Sequence, residues 1–152
     1  MSGEVSVLRM IRSTLNADLA AVSRVDLKAG FFSHIVETGA SSGAEKFESP
    51  FVPTTCCATV VSRKEPLIIG GLEVDDDQPQ CPMMKAEGCK ASLGVPIATN
   101  DRVVGAVEAI CGGPRNWTVA DLESIAKFAR IVESIMPIDL AEVHVPKIRL
   151  VN

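Results

Sequence analysis

The last third of the chain holds the pattern that most constrains its fold, namely two apolar strands joined by a tight turn and followed by a long helix. Residues 91–98 and 102–110 are rich in apolar and β-branched side chains, and the polar turn at residues 99–101 separates them. Thr118, with Asp121 three residues later, resembles a capping box in which Asp replaces the usual Glu. This part of the sequence therefore predicts a β-hairpin and then a helix.

The helix predicted over residues 118–136 carries two apolar stripes. The first has the spacing needed to pack on a sheet and consists of Leu122, Ile125, Ala129, Val132 and Met136. The second lies beside it and consists of Phe128, Ile131 and Ile135. A wide core-facing surface or cover from the C-terminal tail would explain the second stripe, and so would a helix from another copy of the chain. On the last explanation we predict a homodimer through the terminal helices.

The rest of the chain completes one domain. With 152 residues, 47% of them hydrophobic, it is long enough to bury a core without disulfide bonds. We predict a single domain over residues 1–136 and a C-terminal tail over residues 137–152. Before residue 91 we predict first a helix over 4–15, strands over 19–25 and 31–36, and a mobile loop over 37–50. A short helix follows, capped by Thr54 or Thr55 and ending near Ser62, and then a strand over 67–69 and an irregular segment over 73–90.

Charge and composition argue against several classes of partner. The formal net charge is −4 and aromatic residues make up 4% of the chain, so neither a basic face nor stacking rings are available for nucleic acid. No apolar run approaches the length needed to cross a membrane. The first residues, Met1-Ser2-Gly3-Glu4, lack the basic-then-apolar layout of a secretory signal. We therefore expect a cytoplasmic protein that binds neither nucleic acid nor membrane.

Two of the five cysteines are adjacent, at Cys56 and Cys57, just after Thr55. If Thr55 caps the short helix, both thiols lie in its first turn, where the helix dipole favours negative charge and should make a thiol easier to ionise. An odd number of cysteines in a reducing compartment indicates buried thiols, redox-active thiols or metal ligands rather than a disulfide framework.

The order of the motifs resembles that of the GAF domain, a small α/β sensor module. The segment from Cys57 to Ile69 (CATVVSRKEPLII) is similar to the short helix and "Pro-apolar" strand of that family. SLGVPI, followed by NDRVVGAV in residues 92–107, is close to its most recognisable hairpin, and PRNWT in residues 114–118 completes the match. The resemblance covers residues 4–136. It implies an α+β fold with a central antiparallel sheet, helices packed on the faces of the sheet, and a pocket between one sheet face and residues 51–90.

Within that architecture the cysteines are expected to gather around one pocket. Cys56 and Cys57 would lie on its helix, Cys81 and Cys89 in its cover, and Cys111 at the end of a neighbouring strand. The residues predicted to bind a ligand are Thr55, Cys56, Cys57, Cys81, Cys89, Glu108 and Cys111. Alternatively, the thiols are ordinary core residues, a thiol–disulfide switch, or ligands of a metal or iron–sulfur cluster, for which the candidates are Cys56, Cys57, Cys81 and Cys89.

The family resemblance also limits the ligand. Bilin-binding members carry a Cys-His pair, but Lys90 follows Cys89 here, so we expect no bilin. His34 is the only internal histidine available to haem, and a lone strand histidine is more often an ordinary surface residue or a satisfied one than an axial ligand, so we expect no haem either.

The predicted function is a sensor domain that binds a small ligand or responds to redox state and is not itself an enzyme. One alternative is a thiol-dependent methionine sulfoxide reductase, because free methionine-R-sulfoxide reductases are GAF proteins. It would use Cys57, Cys81 or Cys89, with Glu108 as the only acidic residue in residues 107–111, where those enzymes carry acidic residues that bind the substrate amine. A second alternative is a metal or iron–sulfur sensor.

Overall fold

The computed structural model describes residues 3–41, 43–71, 79 and 90–136. Within these residues lie three helices, α1 (Gly3–Leu15), α2 (Cys56–Arg63) and α3 (Val119–Ile135), and six strands, β1 (Leu19–Asp26), β2 (Phe31–Glu37), β3 (Glu45–Pro50), β4 (Leu67–Ile69), β5 (Ala91–Thr99) and β6 (Arg102–Cys111). The strands form one sheet in the order β3-β2-β1-β6-β5-β4, and every neighbouring pair is antiparallel. The predicted α+β fold with a central antiparallel sheet is confirmed.

Helices α1 and α3 cover one face of this sheet. The apolar stripe of α1 buries Leu8 and Ile11 completely against the strands, and Ile125 and Val132 do the same from α3. Helix α3 starts with the predicted capping box, in which the Thr118 hydroxyl accepts a hydrogen bond from the Asp121 backbone N–H at 3.1 Å. No helix in the described part of the chain is long and apolar enough to span a bilayer.

The second apolar stripe of α3 divides between core and surface. Phe128 packs against the core beneath the two helices. Ile131 and Ile135 are 42% and 41% exposed, and Met10 on α1 is 51% exposed. A wide core-facing surface therefore accounts for Phe128 but leaves the two isoleucines at the surface.

Helix α2 packs on the opposite face of the sheet. It begins at Thr55, whose hydroxyl accepts a hydrogen bond from the Ala58 backbone N–H at 3.4 Å. Gly94 on β5 allows the helix to lie close, since a Cβ at that position would lie 3.2 Å from a Val60 methyl and 3.3 Å from the Glu108 Cγ. The sheet thus has a two-helix face and a face with a single short helix, which we call the α2 face.

The prediction of a loop over residues 37–50 is wrong in part, because residues 45–50 form strand β3. Strand β3 lies at the edge of the sheet, and all of its residues except Ser49 are exposed. Its order comes from backbone pairing with β2 rather than from burial, so the sequence shows no apolar alternation there. The predictions for residues 72–78, 80–89 and 137–152 lie outside the described residues.

Candidate functional site

The α2 face carries a set of polar side chains that are almost completely buried. We call this set the polar floor; each member is at most 1% exposed. Strand alternation aligns these positions, because Ser23 pairs with His34 across β1 and β2, and Glu108 on β6 pairs with Gly94 on β5. Burying polar groups is costly unless they are hydrogen-bonded or paired, so packing alone does not explain them. The members are Ser23, His34, Ser92 and Glu108.

Cys56 and Cys57 lie above this floor in the first turn of α2, and each is 1% exposed. The Cys56 thiol donates to the Pro79 carbonyl at 3.5 Å. The Cys57 Sγ lies 3.7 Å from the Thr55 hydroxyl. The two side chains pack in separate apolar clusters, Cys56 with Ile69 and Cys57 with Phe32.

The expectation that these thiols ionise easily is wrong. Burial, the larger cause, raises the pKa of Cys56 far above its usual range, and the nearby Glu108 carboxylate raises it further. A hydrogen bond from the Ser92 side chain offsets only part of this rise. The same two causes, in the same order, raise the pKa of Cys57 to about 12. Desolvation and a like charge therefore outweigh the helix dipole, and both thiols are protonated at neutral pH.

Glu108 is the only carboxylate of the polar floor, and none of its surface is exposed. It projects from the middle of β6 beneath α2, close enough to Gly94 for its Cγ to limit any side chain there. A buried carboxylate favours a donor or a positive charge opposite it. Glu108 was a candidate site residue from the sequence alone, and the structure places it beside Cys56 and Cys57.

His34 is hydrogen-bonded at both ring nitrogens. Nδ1 lies 2.7 Å from the Ser23 hydroxyl and Nε2 lies 2.6 Å from the Ser49 hydroxyl. The ring is stacked between Phe32 and Phe47, with centroid distances of 5.7 and 4.7 Å. Burial lowers the pKa of His34 to about 4, so the ring is neutral at physiological pH. Of the two ordinary roles expected from the sequence, a surface histidine or a satisfied one, the structure shows a buried histidine with both ring nitrogens hydrogen-bonded.

The structure brings together four of the seven predicted ligand-binding residues, namely Thr55, Cys56, Cys57 and Glu108. Cys111 is not among them, because it packs with the core beneath α1 and α3. It follows Ile110 on β6, and strand alternation turns its side chain to the other face. Cys81 and Cys89 lie outside the described residues.

The sequence did not identify two members of the polar floor, Ser23 and Ser92, or Ser49, which contacts His34. Ser23 and Ser92 are single hydroxyl residues inside apolar strands, and such isolated polar positions were the available signal. Ser49 lies in the strand that was predicted as loop, so its register could not be assigned.

A metal or iron–sulfur site cannot be built from the described residues alone. Across residues 3–41, 43–71, 79 and 90–136, no group of three or more His, Cys, Asp or Glu side chains is placed to hold a metal ion. Cys56 and Cys57 point into different clusters. The other candidate ligands, Cys81 and Cys89, lie outside this part of the chain.

Comparison with known proteins agrees with this architecture. An antiparallel sheet with two helices on one face and a short helix on the other defines a small α+β domain. The family model of the GAF domain matches residues 6–136, and the chain belongs to that family. A search of curated proteins gives no match.

Solved structures share the fold at low sequence identity. The GAF domain of a phosphoenolpyruvate-protein phosphotransferase from Coxiella burnetii superposes with a TM-score of 0.70 at 16% identity, covering 86% of this chain and 78% of that one. Free methionine-R-sulfoxide reductase from Neisseria meningitidis gives 0.66 at 12% identity, covering 86% and 73%. A domain of a two-component sensor histidine kinase from Sinorhizobium meliloti gives 0.58 at 18% identity, covering 84% and 83%.

Proposed function

We propose that the chain is a sensor domain that binds a small molecule against the polar floor of the α2 face. The observation that carries this proposal is the fully buried Glu108 carboxylate beneath α2, beside Ser92 and two protonated thiols. This set places one carboxyl group among hydroxyl and thiol groups. Such a site favours a ligand that presents an ammonium group or several N–H donors. A cytoplasmic location stays a prediction from composition.

The thiol-based alternatives receive less support from the described cysteines. A reductase or a peroxide sensor needs a thiolate, and burial and Glu108 both hold Cys56 and Cys57 in the protonated form. Sensing through thiols would then depend on Cys81, Cys89 or Cys111. Turnover of a methionine sulfoxide with a thiol reductant would establish the enzyme instead, and visible absorption of protein purified without oxygen would establish a cluster.

Ligand binding can be tested by thermal-shift screening with a panel of primary amines and free amino acids. We expect at least one compound to stabilise the protein in a concentration-dependent way. Glu108→Gln should lower the affinity for that compound about tenfold or more, because a hydrogen bond to a charged group contributes about 1.5–3 kcal/mol.

The matched control is Glu133→Gln, which changes a carboxylate on the two-helix face, where Glu133 accepts a hydrogen bond from the Ala98 backbone N–H at 2.7 Å. This variant should bind the compound as the wild type does. A panel in which nothing binds, or a compound that both variants bind equally well, would count against the proposal.

We further propose that two copies associate through α1 and α3. These helices expose apolar surface at Met10, Ile131 and Ile135. The start of α1 lies beside the end of α3, since a Cβ on Gly3 would be 3.1 Å from the Ile135 Cδ1. Ile135→Glu should raise the dimer dissociation constant at least tenfold in sedimentation experiments.

Val119→Glu is the control for the dimer, because Val119 is 73% exposed at the opposite end of α3. Equal sedimentation of the wild type and both variants as monomers would rule this interface out.

A further inference from the structure

The connection between β6 and α3 is hydrogen-bonded to the far edge of the sheet. The Arg115 backbone N–H donates to the Gly70 carbonyl at 2.8 Å, and the Trp117 indole N–H donates to the Ile69 carbonyl at 3.0 Å. Both acceptors lie at the end of β4. Residues that precede α3 by only a few positions therefore contact the strand that leads into residues 72–89.

The Arg115 side chain extends these contacts to both helices of the two-helix face. Its guanidinium donates to the Asn16 carbonyl, just beyond α1, at 3.4 Å and to the Asp121 carboxylate, in the first turn of α3, at 3.3 Å. It also lies 4.2 Å from the centre of the Trp117 ring, within range of a cation–π interaction. One side chain thus joins the end of α1, the start of α3 and the tryptophan.

The same edge of the sheet is continuous with the polar floor. Ile69 packs in one apolar cluster with Cys56, and its cross-strand partner on β5 is Ser92. The Ser92 side chain is hydrogen-bonded to Cys56. A displacement of α2 or β5 that accompanies binding would therefore reach the Ile69 backbone, which accepts the bond from Trp117.

The two described ends of residues 72–89 also meet at this edge. Gly71 has φ of +75°, and a Cβ there would lie 2.6 Å from the Lys90 carbonyl oxygen. The Lys90 backbone N–H donates to the Cys111 carbonyl at 2.9 Å. Close approach of the two backbones thus requires glycine at position 71.

We propose that Arg115 and Trp117 form a clasp that couples the β4–β5 edge beside the polar floor to the first turn of α3 and the end of α1. The idea that ligand binding reaches the helices through the clasp rests on the proposed function. The mechanical coupling between the two parts of the domain does not depend on the proposed function, and it can be tested without a ligand.

The test perturbs the edge and measures amide hydrogen exchange in the first turn of α3, residues 119–123. Gly71→Ala forces Lys90 away and should accelerate exchange there about fivefold or more. In a Trp117→Phe background, which lacks the indole hydrogen bond but keeps the bond from Arg115 to Gly70, the same change should accelerate exchange by a smaller factor than it does in the wild type. Gly30→Ala is the control, because Gly30 has a similar φ of +78° but nothing within 4 Å of the added Cβ.

A second variant and a second measurement cover the case in which Gly71→Ala does not fold. Gly70→Ala is milder, since its Cβ would lie 3.1 Å from the Arg115 carbonyl oxygen. Trp117 is the only tryptophan of the chain, so a shift of its fluorescence emission reports the clasp directly.

The clasp is refuted if the edge variants accelerate exchange only within β4 and β5, or if Gly71→Ala accelerates exchange in α3 by the same factor with and without Trp117→Phe. A failed ligand screen would overturn the proposed function and leave this result standing.

Discussion

Replacing Gly105 with alanine is expected to destabilise the domain by about 3 kcal/mol or more, at the upper end of the cost of forcing extra atoms into a packed interior. Gly105 lies on β6 opposite Arg24 of β1. A Cβ there would be 2.0 Å from the Ser23 carbonyl oxygen and 3.0 Å from the carbonyl carbon. Both atoms belong to the backbone, so the clash with the added Cβ can be relieved only if β1 and β6 separate at the centre of the sheet.

The free energy of unfolding in urea measures this effect. Gly113→Ala is the matched control, because nothing lies within 4 Å of its Cβ position, and it should change stability by less than about 0.5 kcal/mol. If Gly105→Ala unfolds at the wild-type urea concentration, the close approach of β1 and β6 is wrong.

The second large effect is a loss of stability in mild acid that depends on His34. Burial lowers the pKa of this ring from 6.5 to about 4. Above pH 6.5 the ring is neutral in both the folded and the unfolded chain, so stability is fully present. Between pH 6.5 and 4 the unfolded chain binds a proton that the folded chain does not, so this stability is lost as pH falls. The loss should reach about 3 kcal/mol.

His34→Gln removes the titrating group and should flatten the dependence of unfolding free energy on pH between 6.5 and 4, whatever it does to stability at pH 7. Carboxylates contribute equally to both proteins, so the difference in slope isolates the histidine. An NMR titration that places the pKa of His34 near 6.5 would contradict the buried Ser23–His34–Ser49 arrangement.

Most of the fold could be predicted because apolar spacing and turn residues report burial directly. The β5–β6 hairpin, the capping box at Thr118 and the short strand at residues 67–69 all followed from such local signals. Strand β3 could not be found this way. Its residues are stabilised by pairing with β2, a long-range interaction that leaves no pattern in an exposed edge strand.

The candidate site was predicted in part, and the errors have two physical causes. Helix position suggested reactive thiols at Cys56 and Cys57, but their pKa depends on burial and on Glu108, which is distant in sequence. Cys111 was placed at the site although a shift of one residue along a strand reverses the direction of its side chain. The family resemblance therefore predicted which elements meet, but not which side chains face each other.

A crystal structure of the domain with the best ligand from the amine and amino-acid panel would show whether the polar floor binds it. We expect a donor atom of the ligand within about 3.2 Å of a Glu108 carboxylate oxygen, on the α2 face. A ligand bound instead between α1 and α3, or one that leaves Glu108 without contact, would contradict it.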